Sequence, residues 1–426
     1  MRLEPAVSLS GHLAVPGDKS ISHRALLLGA VSDGDTHVRG FGRSADTEST
    51  LGAVRALGVR VDELSADELV VHGVGLRGLQ APAGPIDCGN AGTLARLLPG
   101  LLAFQAGSFT LIGDESLSSR PMQRIVEPLT RMEVAVEATG GRLPLTVTGG
   151  RPTAIDYRLP VASAQVKSVV LLAALGALGR TTVVEPVPSR YHTELMLQAA
   201  GATLTRRPTS VSVDPVDHIR VGELEVPGDF SSAAPFIVAA TLVPGSELTI
   251  HGVGLNPRRT GLLDVLERMG ARIGILHRRR AGMEAVGDIE VASAELTATE
   301  ISGAEVPLLI DELPLFALAA ACAHGESRVT GARELRLKES DRVQTVVELL
   351  RRVGLHAQGQ PDGFRVRGVP ARPRGGRVQA GGDHRIAMLG AIAGLVSSEG
   401  VEIEGAESVG VSFPGFYDLL DQLTHR

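Results

Sequence analysis

Tryptophan is absent from this chain of 426 residues, aromatic residues make up only 3% of it, and cysteine occurs twice, at Cys88 and Cys322. So few rings leave no stacking platform for nucleic-acid bases. A net charge of −6 leaves no basic excess to follow a phosphate backbone or an anionic bilayer. Two cysteines cannot build a disulfide framework, and a reducing cytoplasm is the expected setting. The apolar runs, such as residues 25–28 and 169–175, fall far short of the roughly 20 residues that cross a bilayer. The first residues lack the charged-then-apolar plan of a secretory leader. The twelve histidines are scattered, with His23, His192 and His384 standing singly in motifs, so neither a metal nor another cofactor is expected. Nucleic acid and membrane are not expected as partners either, so any anionic ligand has to be bound by a local cluster.

Lysine is the other scarcity. Of 42 basic residues only Lys19, Lys167 and Lys338 are lysines. A coding preference for arginine accounts for the surface but not for where lysine persists. Lysine is a compact charge whose pKa burial can move, whereas arginine is a rigid fork that stays protonated, so chemistry that needs the former cannot accept the latter.

What is present is ordinary for a folded protein, with 43% hydrophobic and 21% charged residues, and the length suits two domains. Val15-Pro-Gly-Asp18 recurs as Val226-Pro-Gly-Asp229, each followed by an apolar helix, a turn, a β-branched strand and a second helix. The same grammar opens at Asn90, Ser163, Asp311 and Asp383, giving six copies spaced by roughly 70 to 80 residues. Strands are predicted at Thr36 to Arg39, Ser108 to Ile112, Thr181 to Val184, Glu247 to Ile250, Ser327 to Thr330 and Val401 to Glu404. The second helix closes on an apolar residue plus glycine at Leu57-Gly58, Ala200-Gly201, Met269-Gly270 and Val353-Gly354, whereas the second copy has Met132-Glu133 there. The expected fold is α/β, with two similar lobes, each of three repeated helix-strand units, facing each other across a cleft. Residues 15–227 would form one lobe, and residues 1–14 with 228–426 the other, the N-terminal strand completing the latter.

Each copy places a short polar cluster at the start of its first helix, among them Lys19-Ser20, Gly92-Thr93, Ser163 with Gln165, Asp311-Glu312 and Asp383-His-Arg385. Capping explains the serines and aspartates. It does not explain Lys19, Arg24 and Arg385, whose charge the helix dipole opposes unless an anion lies between. Converging helix starts with basic side chains make a site for phosphates and carboxylates.

Pro16-Gly-Asp-Lys-Ser-Ile-Ser-His-Arg24 resembles the N-terminal signature of the 5-enolpyruvylshikimate-3-phosphate synthases, and Gly89-Asn-Ala-Gly-Thr93 resembles their second. Arg120-Pro-Met122, Ser163-Ala-Gln165, Leu337-Lys-Glu-Ser-Asp-Arg342 and Asp383-His-Arg385 follow in the family's order and span nearly the whole chain. Each is weak alone; together, one per repeat, they are specific.

The resemblance implies an enolpyruvyl transferase-like fold. The implied activity is transfer of the enolpyruvyl group of phosphoenolpyruvate to the 5-hydroxyl of shikimate 3-phosphate, in chorismate and aromatic amino acid biosynthesis. It implies that Lys19, Ser20, Arg24, Ser163, Gln165, Arg190, Asp311 and Lys338 hold shikimate 3-phosphate. Lys19, Gly92, Arg120, Gln165, Arg342 and Arg385 would hold phosphoenolpyruvate. Three arginines can grip a small ligand carrying phosphate and carboxylate, and a glycine leaves room beside it. Lys19, Asp311 and Glu339 match the family's catalytic positions, with Asp311 as proton acceptor for the hydroxyl and Glu339 with Lys19 as donors. Helix capping is the plainer reading of Asp311, and an exposed helix charge that of Glu339. A monomer is expected. Tolerant relatives carry a bulkier residue at the position of Gly92 against the inhibitor glyphosate, so inhibition is expected here.

Two departures stand out. Ser163-Ala164-Gln165 replaces the Ser-Ser-Gln of many members, and Val411 stands where some have a lysine two residues before Phe-Pro. Lys167 is a candidate compensating charge, or a residue on the outer face of its helix. The alternatives are UDP-N-acetylglucosamine 1-carboxyvinyltransferase and a non-catalytic anion-binding repeat protein. The first usually pairs its early lysine with asparagine and carries a reactive cysteine or acid in a loop. Here Ser20 follows Lys19, the segment from Gly113 to Arg120 has no cysteine, and Cys88 reads as a small buried residue. Binding alone does not demand Lys19, Asp311 and Glu339 together.

Overall fold

The computed structural model describes residues 1–425. Six helices are buried on nearly every side: Lys19–Ala30, Gly92–Leu102, Ala164–Ala174, Phe230–Leu242, Leu313–Ala321 and His384–Val396, the last three being apolar all round save for a few residues. A helix with no polar face has to be enclosed. Every residue of Leu313–Ala321 is buried, and in His384–Val396 only Arg385 escapes full burial. Gly100 lets the Gly92–Leu102 helix touch the Ala164–Ala174 helix, because a Cβ there would lie 2.4 Å from the Val169 carbonyl oxygen.

Six small sheets accompany these helices, one for each repeat. In the second and third, the strand after the buried helix pairs in parallel with a short preceding strand and antiparallel with a hairpin. Thus Ser108–Ile112 lies between Ile86–Asp87 and Arg142–Thr148, and Thr181–Val184 between Asp156–Arg158 and Ser210–Val213. Gly325–Val329 repeats the pattern with Glu300–Ile301 and Gly363–Gly368. In the first sheet the parallel partner of Asp33–Arg39 is Glu223–Glu225, from the end of the third repeat. The N-terminus supplies two strands. Ser8–Ala14 runs parallel to Glu247–Gly254, and Arg2–Leu3 takes the antiparallel edge of Val401–Glu404.

The second helices end as their glycines dictate. Gly58, Gly201, Gly270 and Gly354 adopt φ of 88°, 93°, 101° and 89°. These values lie in the left-handed region that only glycine enters without strain. In the second copy Glu133 takes the same conformation, with φ 62°, as one of two non-glycine residues with positive φ among those described. Its carboxylate accepts a hydrogen bond from the Thr153 hydroxyl.

The chain divides into two compact units. One comprises Met1–Pro16, Pro227–Arg279 and Ala285–Arg426; the other comprises Gly17–Val226 with Arg280–Glu284. Each has its own hydrophobic core, one running from Ile21 to Val226 and one built from Leu3 to Val15 together with Phe230 to Leu423. Arg280–Glu284, the tip of the hairpin formed by Arg272–Ala281 and Glu284–Ala292, groups with the Gly17–Val226 unit although the body of the hairpin does not. No helix among the described residues is long and apolar enough to cross a membrane.

Candidate functional site

In the Gly17–Val226 unit the polar residues gather at helix starts. Asp18 caps the Lys19–Ala30 helix by accepting from the Ile21 N–H. Lys19, first in that helix, has its Nζ 2.7 Å from Asp46 Oδ2, near the start of the Ala45–Ala56 helix. One turn on, Arg24 is buried and ties three segments together. Its Nε donates to Thr193 Oγ1 at 2.7 Å, one terminal nitrogen to Ser168 Oγ at 3.0 Å, and the other to the Ser20 carbonyl at 2.8 Å. Burial lowers its pKa to about 10, with the nearby Arg190 guanidinium pushing in the same direction and Glu194 opposing. Arg24 is buried and Arg190 partly buried, and a pair of guanidinium groups suits a doubly charged anion.

A second cluster surrounds Gly92. Arg120 donates to Asn90 Oδ1 at 2.7 Å, and Arg96 reaches both the Gly92 carbonyl and Gln165 Oε1 at 3.3 Å. The Gln165 amide donates in turn to Thr93 Oγ1 at 3.3 Å. A Cβ on Gly92 would stand 2.7 Å from an Arg96 nitrogen and 3.2 Å from an Arg120 nitrogen. The glycine therefore makes room for two guanidinium groups. Ser163 caps the Ala164–Ala174 helix, accepting from the Val166 N–H at 3.4 Å.

Lys167 does not compensate for the missing C-terminal lysine, nor does it lie on an outer face. It is 1% exposed, with its Nζ 2.9 Å from Glu185 and 2.8 Å from Glu194. A buried ammonium between two carboxylates is a structural tie, and breaking one leaves a charge unpaired. Val411, partly buried at the end of the short helix Ala406–Val411, brings no charge of its own. Cys88 is fully buried and burial pushes its thiol up to about 12, the opposite of a reactive thiolate.

The other unit gathers carboxylates and cations. Asp311 has Lys338 Nζ at 3.1 Å, Arg259 at 3.4 Å and Arg342 at 3.5 Å. It does not cap the Leu313–Ala321 helix, which has Glu312 at its start and no side-chain cap. Glu339 is in no helix; it precedes the Arg342–Arg352 helix and its carboxylate is 2.6 Å from Arg342. Arg342, 1% exposed, also binds Asp383 at 2.8 and 3.1 Å. Burial alone would lower the pKa of Arg342, but Asp383, Glu339 and Asp311 together hold it above the usual value. Burial alone would raise Asp383, and the Arg342 charge outweighs that and keeps it below the ordinary carboxylate range. Arg385 donates to Ser231 Oγ at 3.0 Å and lies 3.5 Å from Glu312, which is fully buried against Arg259 and Ser231.

The family model described as EPSP synthase (3-phosphoshikimate 1-carboxyvinyltransferase) matches residues 3–420. The chain belongs to the EPSP synthase family. A 3-phosphoshikimate 1-carboxyvinyltransferase of Alkalilimnicola ehrlichii is 51% identical over 419 residues, covering 98% of this chain and 94% of the relative. The solved EPSP synthase of Acinetobacter baumannii is 41% identical, with a TM-score of 0.88 over 99% of this chain and 98% of that one. The enolpyruvyl transferase NikO of Streptomyces tendae, at 18% identity and a TM-score of 0.78 over 99% of this chain and 96% of that one, shares the fold.

Of the positions that the EPSP synthase resemblance marks, Lys19, Ser20, Arg24, Gly92, Arg120, Ser163, Gln165 and Arg190 belong to the Gly17–Val226 unit. Asp311, Lys338, Glu339, Arg342 and Arg385 belong to the other. Within the first unit Arg24 neighbours Arg190, and Gly92 neighbours Arg120 and, through Arg96, Gln165. Within the second, Lys338 and Arg342 meet Asp311, and Arg342 also holds Glu339. Sequence reasoning missed Asp46, Arg96, Arg259 and the burial of Glu312. The adjacent carboxylates Asp311-Glu312 before an apolar helix signal a need for cations, but nothing in the sequence points to Arg259, 52 residues upstream.

Proposed function

We propose that this EPSP synthase family member transfers the enolpyruvyl group of phosphoenolpyruvate to the 5-hydroxyl of shikimate 3-phosphate, releasing phosphate. The observation that supports the reading is that Lys338 and Arg342 pair with Asp311, while Arg342 also holds Glu339. Arg24, Arg190, Lys338, Ser20, Ser163 and Gln165 hold shikimate 3-phosphate, joined by Lys19 and Asp311. Arg120, Arg342 and Arg385 take the phosphate and carboxylate of phosphoenolpyruvate, together with Lys19, Gln165 and the Gly92 backbone. Asp311 accepts the hydroxyl proton as that oxygen bonds to C2 of phosphoenolpyruvate. Glu339 with Lys19 supplies a proton to the methylene C3, giving a tetrahedral intermediate. Loss of a C3 proton and departure of phosphate from C2 restore the double bond as an enol ether. Glyphosate inhibition, a monomeric state and a cytoplasmic setting belong to the same reading.

The test is phosphate release from phosphoenolpyruvate in buffer with chelator, with shikimate 3-phosphate or UDP-N-acetylglucosamine as acceptor. Release with shikimate 3-phosphate alone supports the assignment. Release with the sugar nucleotide alone moves it to the rival transferase, and release with neither leaves an anion-binding protein.

A further inference from the structure

The His192–Ala199 helix begins directly after Arg190 and Tyr191, and it has no side-chain cap of its own. A helix start without a cap leaves its first N–H groups unsatisfied and its entry angle loose. Here the entry is fixed from outside, on both sides of Arg190. Before it, Ser189 donates its N–H to Glu185 at 3.2 Å, and its hydroxyl bonds the same oxygen. Lys167 holds that glutamate in turn. After it, His192 donates from Nδ1 to Glu284 Oε1 at 2.6 Å, with the two side chains 3% and 8% exposed. Thr193 then meets Arg24.

Glu284 is the unexpected partner. It lies 92 residues along the chain, at the tip of the hairpin whose residues 280–284 group with the Gly17–Val226 unit while the rest of the hairpin does not. A carboxylate at a buried tip costs more than an apolar side chain would unless its hydrogen bond serves a purpose. The bond it makes ends two residues from Arg190.

We infer that Glu284, through its hydrogen bond to His192, is a positioning residue that sets Arg190 beside Arg24 to receive the phosphate of shikimate 3-phosphate. This rests on the reading of the site given above. The hairpin tip acts as a prop behind the substrate-binding segment and touches neither substrate.

The test is the affinity for shikimate 3-phosphate, by calorimetric titration and as KM, in Glu284→Ala and in His192→Leu, which keeps volume but lacks the donor. Both are expected to weaken shikimate 3-phosphate by about tenfold, while KM for phosphoenolpyruvate and kcat change less than about twofold. Glu284→Gln keeps an acceptor for His192 and is expected to recover most of the affinity. In an Arg190→Ala background, Glu284→Ala should add less than about twofold, because its effect passes through Arg190. Unchanged or tighter binding in both variants overturns the inference, as does a full additional loss in the Arg190→Ala background or an equal fall in phosphoenolpyruvate affinity. A wild-type protein that does not bind shikimate 3-phosphate overturns the function itself; wild-type binding with indifferent variants overturns only the prop.

Discussion

Arg342 sits where three carboxylates meet, and Asp311 and Glu339, for which proton-transfer roles are proposed, occupy different places around it. Asp311 is shared among Lys338, Arg259 and Arg342, whereas Glu339 answers to Arg342 at 2.6 Å. Asp311→Asn and Glu339→Gln remove one proton-transfer group each without changing shape. Each is expected to lower kcat by roughly 10²- to 10⁴-fold while the protein still binds shikimate 3-phosphate, as titration and steady-state rates would show. Gly92→Ala acts differently, because the new Cβ would press on Arg96 and Arg120. Its expected signature is a raised KM for phosphoenolpyruvate with little change for the acceptor. His23, inside the first motif, belongs to the core: its Nδ1 meets Thr50 Oγ1 at 2.6 Å, and burial lowers its pKa to about 3. An unfolded imidazole takes up its proton near pH 6.5, so the unfolded state binds more protons between about 6.5 and about 3. The stability contributed by neutral His23 is full above that window and falls with pH through it, by up to about 1.4 kcal/mol per pH unit. His23→Gln should flatten this slope in denaturant midpoints measured from pH 7 to pH 4.

At the scale of elements, the helix ends show what periodicity can and cannot carry. The apolar-plus-glycine signal at residues 58, 201, 270 and 354 marks a left-handed turn that needs no tertiary information. At Glu133 the same turn is made by a residue that does not advertise it, since the repeat imposes the conformation and Thr153 supplies a hydrogen bond. Gly201 has open space around its Cβ position, so Gly201→Ala isolates backbone strain and should cost about 1–2 kcal/mol. Gly201→Ala should therefore lower the thermal midpoint, whereas Glu133→Gly should leave it level or raise it. Three of the predicted strands, Ser108–Ile112, Thr181–Val184 and Val401–Glu404, match those observed and the others end within four residues of them, because β-branched runs bounded by turns are local signals. Lys167 is not legible: its position two residues after Gln165 suits a compensating charge or an outer helix face equally, and only the fold reveals that Glu185 and Glu194 enclose it.

On the scale of the whole molecule, motif order carried the family and the repeat carried the fold class, because both are written along the chain. Pairings across long separations were not readable, notably Arg259 with Asp311 and Glu312, and His192 with Glu284. Each joins residues whose local sequence is unremarkable and whose partners are fixed by topology. The central claim is an addition at C2 of phosphoenolpyruvate with protonation at C3, followed by elimination of phosphate. Proton NMR of the reaction in deuterium oxide with shikimate 3-phosphate tests it most directly. The account predicts a new enol ether signal, matched by released phosphate, with deuterium entering its methylene group; an enol ether whose methylene carries no deuterium, or no enol ether at all, would contradict it.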